Sequence, residues 1–243
     1  MRSGEIELRR ERDLGAIIGD SFTILFANLG SLAAIVFPAV VTGLSLSLLA
    51  IAVEDEVLVT VILLVSVVIQ FIVFEIVRSA GVVYLDGLDR QDAIPSAESL
   101  DRAQQRLGII SGAAFRSALI VTGFTVTIVG IPWAVMRIVR WAFLGQVIML
   151  EQKQGEEVLA SSAELVKGYW WPTAGRLLVT GLVVGVPTFI ISGVASAALP
   201  QVIAAFVDAG LVFVTVPYGI ISTTLMYFDL KTRKARHDSI NPA

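Results

Sequence analysis

Three arginines that lie inside apolar stretches are the residues of this sequence best placed for chemistry. They are Arg116, Arg137 and Arg140. An arginine near the middle of a bilayer costs about 2.5–3.5 kcal/mol on insertion scales, so such residues normally face protein, water or a lipid headgroup. Arg137 and Arg140 are three residues apart and share a helix face. Trp133, four residues before Arg137, is placed for a cation–π contact with it.

Two acidic residues inside or beside apolar stretches are candidate ion-pair partners for these arginines. Glu75, near the end of the second stretch, could reach Arg116, and Asp208, near the start of the sixth, could meet Arg137. Two acids then face three arginines, which leaves Arg140 without a protein partner. The hypothesis is that Arg140, together with Arg137, binds an anionic group such as a lipid phosphate. The structural alternative is that they bond to backbone carbonyls or extend to the membrane interface.

Other kinds of site have little basis in the sequence. There is no cysteine, which excludes disulfides and cysteine-ligated metals. The single histidine, His237, cannot form a histidine-based metal pair and is interpreted as a solvated tail residue. No Ser-His-Asp set, phosphate-binding glycine loop or nucleic-acid-binding patch is recognisable. We therefore predict no catalytic residue, metal, cofactor or nucleic-acid partner, and the chain is not expected to be an enzyme.

The elements that must position these residues are long apolar stretches. The chain of 243 residues is 56% hydrophobic and 16% charged, against about 45–50% apolar and 25% charged residues in soluble domains. A hydrocarbon core of about 30 Å needs about 20 residues of helix to cross it. The stretches are apolar on every face, which favours helices over the alternating strands of a barrel. The predicted spans are Leu29–Val53, Val57–Ile76, Gly108–Gly130, Pro132–Leu150, Thr173–Ala195 and Asp208–Phe228.

The distribution of lysine and arginine sets the predicted orientation. All 18 basic residues except the three arginines named above fall before span one, between spans two and three, between four and five or at the start of five, and after six. The opposite connections carry none, and the first of them holds Glu54, Asp55 and Glu56. The positive-inside rule predicts a multi-pass protein of the cell membrane with both termini in the cytoplasm. An alternative with five spans, in which Ser117–Met136 is a single span, breaks this charge pattern.

Each pair of spans is preceded by a stretch with helical spacing of apolar residues. The first two stretches match at an offset of 78 residues, which aligns Ser21 with Ser99 and Leu29 with Leu107. The third match is looser. We predict an all-α membrane protein with six transmembrane helices and amphipathic cytoplasmic surface helices, organised as three repeats of a surface helix plus a transmembrane hairpin. The apolar faces of the surface helices are expected to lie in the plane of the lipid headgroups.

A single integral membrane domain is predicted to fill the whole chain, 1–243. It would comprise a cytoplasmic amphipathic segment at 1–28, a six-helix bundle at 29–228 and a cytoplasmic tail at 229–243. In the fifth span, the Gly181–Gly185 pair allows close approach of a second helix. We expect the second helix to belong to the same chain. The alternative is that the glycine pair lies in the interface of a homodimer.

Two parts of the chain contain short motifs that resemble those of a known family of membrane proteins. The matching residues are Ile131-Pro132, Val139-Arg140-Trp141, Leu150-Glu151, Gly155-Glu156-Glu157, Ser161-Ser162-Ala163-Glu164-Leu165, Lys167-Gly168 and Met226-Tyr227-Phe228-Asp229-Leu230-Lys231-Thr232-Arg233. In these motifs the chain resembles the glycerophosphoryl diester phosphodiesterase membrane-domain-like family and related uncharacterised six-helix bacterial membrane proteins, without the catalytic domain. The resemblance implies a six-helix integral membrane protein. It implies no established activity for the membrane part alone.

Two functions are compatible with these patterns. The first is a non-enzymatic integral membrane protein that engages membrane lipids, a partner protein or a second copy, with Arg116, Arg137 and Arg140 as the candidate residues for an anion or lipid headgroup. It predicts buried, paired arginines and no continuous polar path. The alternative is a transporter for an anionic or amphipathic solute. It predicts that the three arginines line one accessible cavity.

Overall fold

A computed structural model describes residues 8–92, 94–125 and 130–240, and all regular secondary structure in these ranges is helical. Six helical units are long and apolar enough to cross a membrane; the fourth of them, Ile131–Leu150, consists of two shorter helices. The helices are α1 (Leu14–Ala27), α2 (Leu29–Ala52), α3 (Glu56–Asp89), α4 (Ser96–Gln105), α5 (Leu107–Thr125), α6 (Ile131–Arg140), α7 (Leu144–Leu150), α8 (Glu156–Val166), α9 (Trp170–Ala198) and α10 (Gln201–Ile240).

The six apolar units coincide with the six predicted spans, which confirms the all-helical membrane fold. The fourth span was predicted as one helix, but a turn at 141–143 divides it into α6 and α7. The five-span alternative fails because Ser117–Met136 is shared between α5 and α6, which pack against each other as separate helices. The end predicted for the third span, at 126–130, lies mostly outside the described residues.

Two helices, α3 and α10, are much longer than a bilayer requires. Their 34 and 40 residues correspond to about 50 and 60 Å, against a hydrocarbon core of about 30 Å. The first half of α3 exposes apolar side chains such as Leu64, whereas residues 77–85 in its second half are buried apart from Arg78. Residues 229–240, assigned by the sequence to a tail, continue α10 as helix. Both predicted spans are therefore only parts of longer helices.

The buried core lies where the second halves of α3 and α10 meet the short helices. There, α1 packs against α10, α4 packs against α3 and α2, and α7 packs against α3 and α8. The ring of Phe22 in α1 lies 4.8 Å from that of Tyr218 in α10. The expectation that the apolar face of α1 lies among headgroups is wrong, because α1 buries Ile17, Ile24 and Leu25 within the protein and packs against α10. We call this end of the bundle, at which α1, α4 and α8 lie, the basic end.

The three predicted repeats are visible in the backbone, since α1, α4 and α8 each precede a pair of long helical units. Each short helix contains one serine, Ser21, Ser99 or Ser162, that is 0% exposed and lies eight residues before the next long helix begins. The third repeat, loosest in sequence, therefore has the same geometry. The residues that precede the long helices also share φ and ψ angles, of −122° and 23° at Asn28, −105° and 11° at Arg106, and −121° and 21° at Tyr169.

The outer surface of the transmembrane units is apolar. On α9, the exposed fractions of Phe189 and Leu178 are 80% and 63%, as expected for side chains that contact lipid. A Cβ atom placed at Gly181 or Gly185 would have nothing within 4 Å. The prediction that this glycine pair brings two helices of the same chain together is therefore wrong, because the pair faces outwards.

Candidate functional site

The first predicted site residue, Arg116, forms an ion pair with Glu156. Its Nη2 lies 3.0 Å from the Glu156 Oε1, and both side chains are exposed. The predicted pairing of Arg116 with Glu75 is wrong, since Glu75 accepts a hydrogen bond from Arg78 Nη1 at 3.3 Å. Because α3 continues past the predicted end of its span, Arg78 lies three residues from Glu75 on one helix face. Glu156 becomes available to Arg116 because it begins α8, which packs beside α5.

The second predicted site residue, Arg137, lies over an aromatic ring. Its Cζ is 5.2 Å from the centroid of the Trp141 ring, which is a cation–π contact. The sequence favoured Trp133 for this contact, but Trp133 is instead exposed. The predicted partner Asp208 accepts a hydrogen bond from Ser192 Oγ at 2.5 Å, across the hairpin of α9 and α10. Arg137 does not reach it, because α6 packs mainly against α5, α8 and α9.

The third predicted site residue, Arg140, lines an open groove between α6, α8 and α9. The groove has a volume of about 760 Å³, and we call it the Arg140 groove. Within the part of the chain that the structure describes, the Arg140 guanidinium has no ion pair. The groove is lined by Pro132, Trp133, Met136, Arg140, Ala160, Ala163, Glu164, Val166, Lys167, Gly168, Trp170 and Trp171.

Aromatic side chains form a large part of the wall of the Arg140 groove. The rings of Trp170 and Trp171 meet edge to face, with centroids 4.6 Å apart. Trp170 Nε1 donates a hydrogen bond to the carbonyl of Met136 at 3.4 Å, which links α9 to α6. The chain reaches these tryptophans from α8 through Gly168, whose φ of +83° favours glycine. The wall is therefore built from the end of one short helix and the start of a transmembrane helix.

The backbone of Arg140 is positioned by Ser162 of α8. Ser162 Oγ donates a hydrogen bond to the Arg140 carbonyl at 2.8 Å and accepts one from the Phe143 amide at 3.4 Å. These groups lie where the helix is interrupted and would otherwise lack backbone partners. The buried serine of the third repeat thus provides hydrogen-bond partners for two backbone groups at the break between α6 and α7. These bonds hold α8 beside Arg140.

Positive charge is in excess around the groove. Its one acidic residue, Glu164, lies 3.3 Å from Lys167 Nζ, and the backbone carbonyl of Glu164 accepts a hydrogen bond from Lys234 Nζ. The Glu164 carboxylate therefore lies near two lysines, Lys167 and Lys234. Arg140 remains available to an anion from outside the protein. An aromatic wall with surplus cations is suited to a ligand that carries both apolar groups and negative charge.

The structure also contains a buried charge cluster that the sequence did not predict. Asp229 in α10 is 0% exposed. Its carboxylate accepts hydrogen bonds from the backbone amide of Arg12 at 2.6 Å, from Arg176 Nη1 at 2.5 Å and from Arg233 Nε at 2.9 Å. We call these four residues the Asp229 cluster. It joins the segment before α1 to α9 and to the second half of α10.

Two further ion-pair groups hold the same N-terminal segment. Arg9 donates to Asp89 at 2.6 Å and to Asp86 at 3.0 Å, and the hydrogen bond to Asp89 is the main reason why the pKa of Arg9 is raised. Burial raises the pKa of Asp20, but hydrogen bonds from Arg12 and Arg10 outweigh it and leave that pKa below its usual value. The segment is therefore fixed to α3 and α1 by charge.

Glu151, just after α7, is the centre of a separate ion-pair group that involves α10. It accepts a hydrogen bond from Tyr227 Oη at 2.8 Å and lies 2.7 Å from Lys231 Nζ. Burial raises the pKa of Glu151, and the hydrogen bonds from Lys231 and Tyr227 outweigh that effect and lower it. Sequence reasoning assigned these residues no role beyond family motifs and charge placement, because their pairing depends on how Glu151 lies beside α10. Every charged side chain named in these groups has an oppositely charged partner, whereas Arg140 has none in the described residues.

No group of histidine, cysteine, aspartate and glutamate side chains that could hold a metal ion occurs in the described ranges. His237 is exposed near the end of α10. The best candidate site is therefore the Arg140 groove. Comparison with known proteins found no matching family model, no matching curated protein and no matching solved structure.

Proposed function

We propose that this chain is a non-enzymatic integral membrane protein that binds the phosphate-bearing headgroup of a membrane lipid in the Arg140 groove. The observation that carries this function is the position of Arg140. Its guanidinium lines a tryptophan-rich groove and has no ion pair within the described residues. A guanidinium in such surroundings requires an anion, water or a carbonyl, and a lipid phosphate is the anion that a membrane supplies.

The chemistry of the groove matches a lipid more closely than a free inorganic anion. Guanidinium groups bind phosphate oxygens in pairs, and Lys167 supplies a second cation at the rim. The indole rings of Trp133, Trp170 and Trp171 favour the interfacial depth at which headgroups and glycerol lie. Basic pockets between membrane helices are a known way of holding anionic headgroups. The apolar wall would contact the glycerol and the first part of the acyl chains.

The alternative of a transporter has less support from the geometry. A transporter for an anionic solute would place the three predicted arginines along one cavity. Instead, Arg116 pairs with Glu156, Arg137 lies over Trp141, and Arg140 alone lines the groove. The arginines are also not all buried and paired, as the first function predicted, since Arg116 is exposed and Arg140 has no ion pair in the described residues. A second crevice lies at the opposite end of α9, but it shares no lining residue with the Arg140 groove.

We also propose that the basic end faces the cytoplasm across a cell membrane, because lysine and arginine are retained on that side. On the motifs at 131–168 and 226–233, we infer a relationship to the glycerophosphoryl diester phosphodiesterase membrane-domain-like family. Several residues of those motifs, including Ser162, Tyr227 and Asp229, make the contacts that hold the basic end together. Such contacts support a shared fold and imply no shared catalytic activity.

The test is the affinity of Arg140→Gln for an anionic phospholipid. The full chain is purified in mild detergent, and binding of phosphatidylglycerol and phosphatidylcholine is measured by native mass spectrometry. Loss of one or two charge-assisted hydrogen bonds should weaken phosphatidylglycerol binding about 10- to 100-fold. Binding of phosphatidylcholine, which has no net charge, should change less.

Arg116→Gln is the matched control, since it removes the same charge from an exposed residue outside the groove. It should leave phosphatidylglycerol binding within about twofold of the unchanged chain, because a remote surface charge contributes little. Size-exclusion chromatography establishes that both variants fold. If Arg140→Gln elutes normally and binds phosphatidylglycerol as tightly as the unchanged chain does, the Arg140 groove is not a headgroup site.

A further inference from the structure

A second crevice lies at the end of the bundle opposite to the basic end. It has a volume of about 900 Å³ and is formed by α2, α3, α10 and the end of α9. Most of its wall is aliphatic, and no aromatic side chain lines it among the residues that the structure describes. We call it the Asp208 crevice. Its size and lining suit an alkyl chain rather than a flat ring.

Asp208 is the single charged residue among the described residues that line this crevice. It lies seven residues after the start of α10, which places it about 10 Å along the helix. Its one hydrogen bond within the described chain comes from Ser192 Oγ, at 2.5 Å, and it has no ion pair there. A carboxylate in a transmembrane helix normally faces a cation or a proton relay. The protein itself provides neither in the described residues around the crevice.

Gln70 of α3 lies in the same wall, and the oxygen of its side-chain amide lacks a hydrogen-bond partner in the described structure. Its Nε2 donates to the Ala39 carbonyl at 3.4 Å, while its buried Oε1 has no hydrogen-bond partner in the described structure. Gly43 of α2 makes room for this side chain, because a Cβ at that position would lie 2.5 Å from the Gln70 Nε2. Gln70 and Gly43 therefore shape the wall of the crevice. The Asp208 carboxylate is the acceptor that the crevice offers to an occupant that donates.

We propose that the Asp208 crevice binds the ammonium group of an alkyl-chain amphiphile. An ammonium group carries one positive charge and up to three hydrogen-bond donors, which complements the Asp208 carboxylate. The attached alkyl chain would lie against the aliphatic wall. A bare divalent cation fits less well, because Ca²⁺ takes six to eight oxygen ligands and the crevice supplies one carboxylate. This inference concerns a different groove from the proposed headgroup site and does not depend on it.

The experiment measures how spin-labelled amphiphiles associate with the full chain in phosphatidylcholine vesicles. The probes are a spin-labelled octadecylamine, a spin-labelled phosphatidylethanolamine and, as neutral reference, a spin-labelled octadecanol. Electron paramagnetic resonance gives the motionally restricted fraction of each probe. At least one of the two ammonium probes should associate about tenfold more strongly than the alcohol. Preference for octadecylamine would indicate a free amine, and preference for phosphatidylethanolamine would indicate a lipid headgroup.

Asp208→Asn should abolish this preference. Glu54→Gln is the matched control, since it removes an exposed carboxylate from the α2–α3 connection outside the crevice and should preserve the preference. Ala205→Trp fills the crevice without changing charge and should release both ammonium probes. The proposal is overturned if the alcohol associates as strongly as both ammonium probes, or if folded Asp208→Asn keeps the preference of the unchanged chain.

Discussion

Asp229 is fully buried between two guanidinium groups and a backbone amide, at the point where the N-terminal segment meets α10. Taking a carboxylate out of water costs several kcal/mol, and that cost is offset only when the hydrogen bonds around it are complete. Here Arg12, Arg176 and Arg233 all donate to it. Residues from three distant parts of the sequence thereby depend on one acidic side chain.

The first stability prediction concerns the replacement Asp229→Asn. The two guanidinium groups would lose their counter-charge and face each other across a neutral amide. Arg176 and Arg233 remain 18% and 28% exposed, so we expect a loss of about 3 kcal/mol, the lower end of the range for a broken buried pair. The measurement is the free energy of unfolding in mixed micelles. Glu157→Gln, an exposed acid with no ion pair in the described chain, should cost under about 0.5 kcal/mol. Equal losses would contradict a structural role for the cluster.

Sequence reasoning located the intramembrane arginines but not their partners. The pairing of Glu75 with Arg78 could have been predicted from their i, i+3 spacing, had α3 been extended past residue 76. The pairing of Arg116 with Glu156 could not, because it depends on α8 packing beside α5. Arg140 was predicted to lack a protein partner, and the described structure gives it no ion pair. A surplus of cations can be counted in a sequence, whereas pairing requires tertiary geometry.

The break between α6 and α7 is an element-level feature that depends on a third helix. A transmembrane helix satisfies its own backbone groups, and an interruption exposes some of them. Ser162 of α8 contacts both sides of this break, at the Arg140 carbonyl and the Phe143 amide. The short helix α8 therefore contributes to the structure of the fourth transmembrane unit and does not merely lie on its surface.

We predict that Ser162→Ala destabilises the protein by about 1–3 kcal/mol, because it leaves a buried donor and a buried acceptor without a partner. Ser21→Ala is a close control. Ser21 is equally buried, but it donates only to the Ile17 carbonyl one turn earlier in its own helix, and that carbonyl keeps its helical bond. Its loss should therefore cost less than the loss of the Ser162 hydroxyl does. Thermal unfolding of both variants in the same detergent measures the difference, and similar values would mean that the break needs no support from α8.

The threefold repeat could be predicted only in part, and there is a physical reason why the third unit was hard to recognise in the sequence. Ser21, Ser99 and two further positions aligned at one offset, while the third unit matched poorly in sequence. The structure shows that burial and backbone angles are repeated where side chains are not. Tyr169 has nearly the same backbone angles as Asn28 and Arg106, although the three side chains differ entirely. The geometry is set by backbone hydrogen bonds, which a comparison of side chains does not detect.

At the scale of the whole molecule, hydropathy predicted the number of spans but not the length of the helices. The second halves of α3 and α10 contain Asp86, Asp89, Asp229 and several basic residues, so their hydropathy falls although the helix continues. Tertiary contacts with α1, α4 and α7 stabilise these polar segments as helix. A hydropathy window averages the polarity of the residues in it, and it therefore marks where an apolar stretch ends rather than where a helix ends.

The two ends of the described chain lie together, which has a direct consequence for topology. Besides the bond between Arg12 and Asp229, Arg236 Nη1 lies 3.0 Å from Glu11 Oε1. Segments that touch must be on one side of a membrane, so the number of crossings between them is even. The sequence reached the same parity from lysine and arginine placement alone. Charge distribution and tertiary contact therefore imply the same even number of crossings.

Single-cysteine variants can test this parity without background, because the chain contains no cysteine. Arg10→Cys and Ala235→Cys, both on exposed residues, should resist a membrane-impermeant maleimide in intact cells and react after lysis. Glu54→Cys, in the acidic connection between α2 and α3, should react in intact cells if the basic end is cytoplasmic. Reversal of all three patterns would retain the even number of spans and invert the orientation. Opposite results for Arg10→Cys and Ala235→Cys would instead contradict the contact between the two ends, and with it the Asp229 cluster, because no side chain can pair across a bilayer.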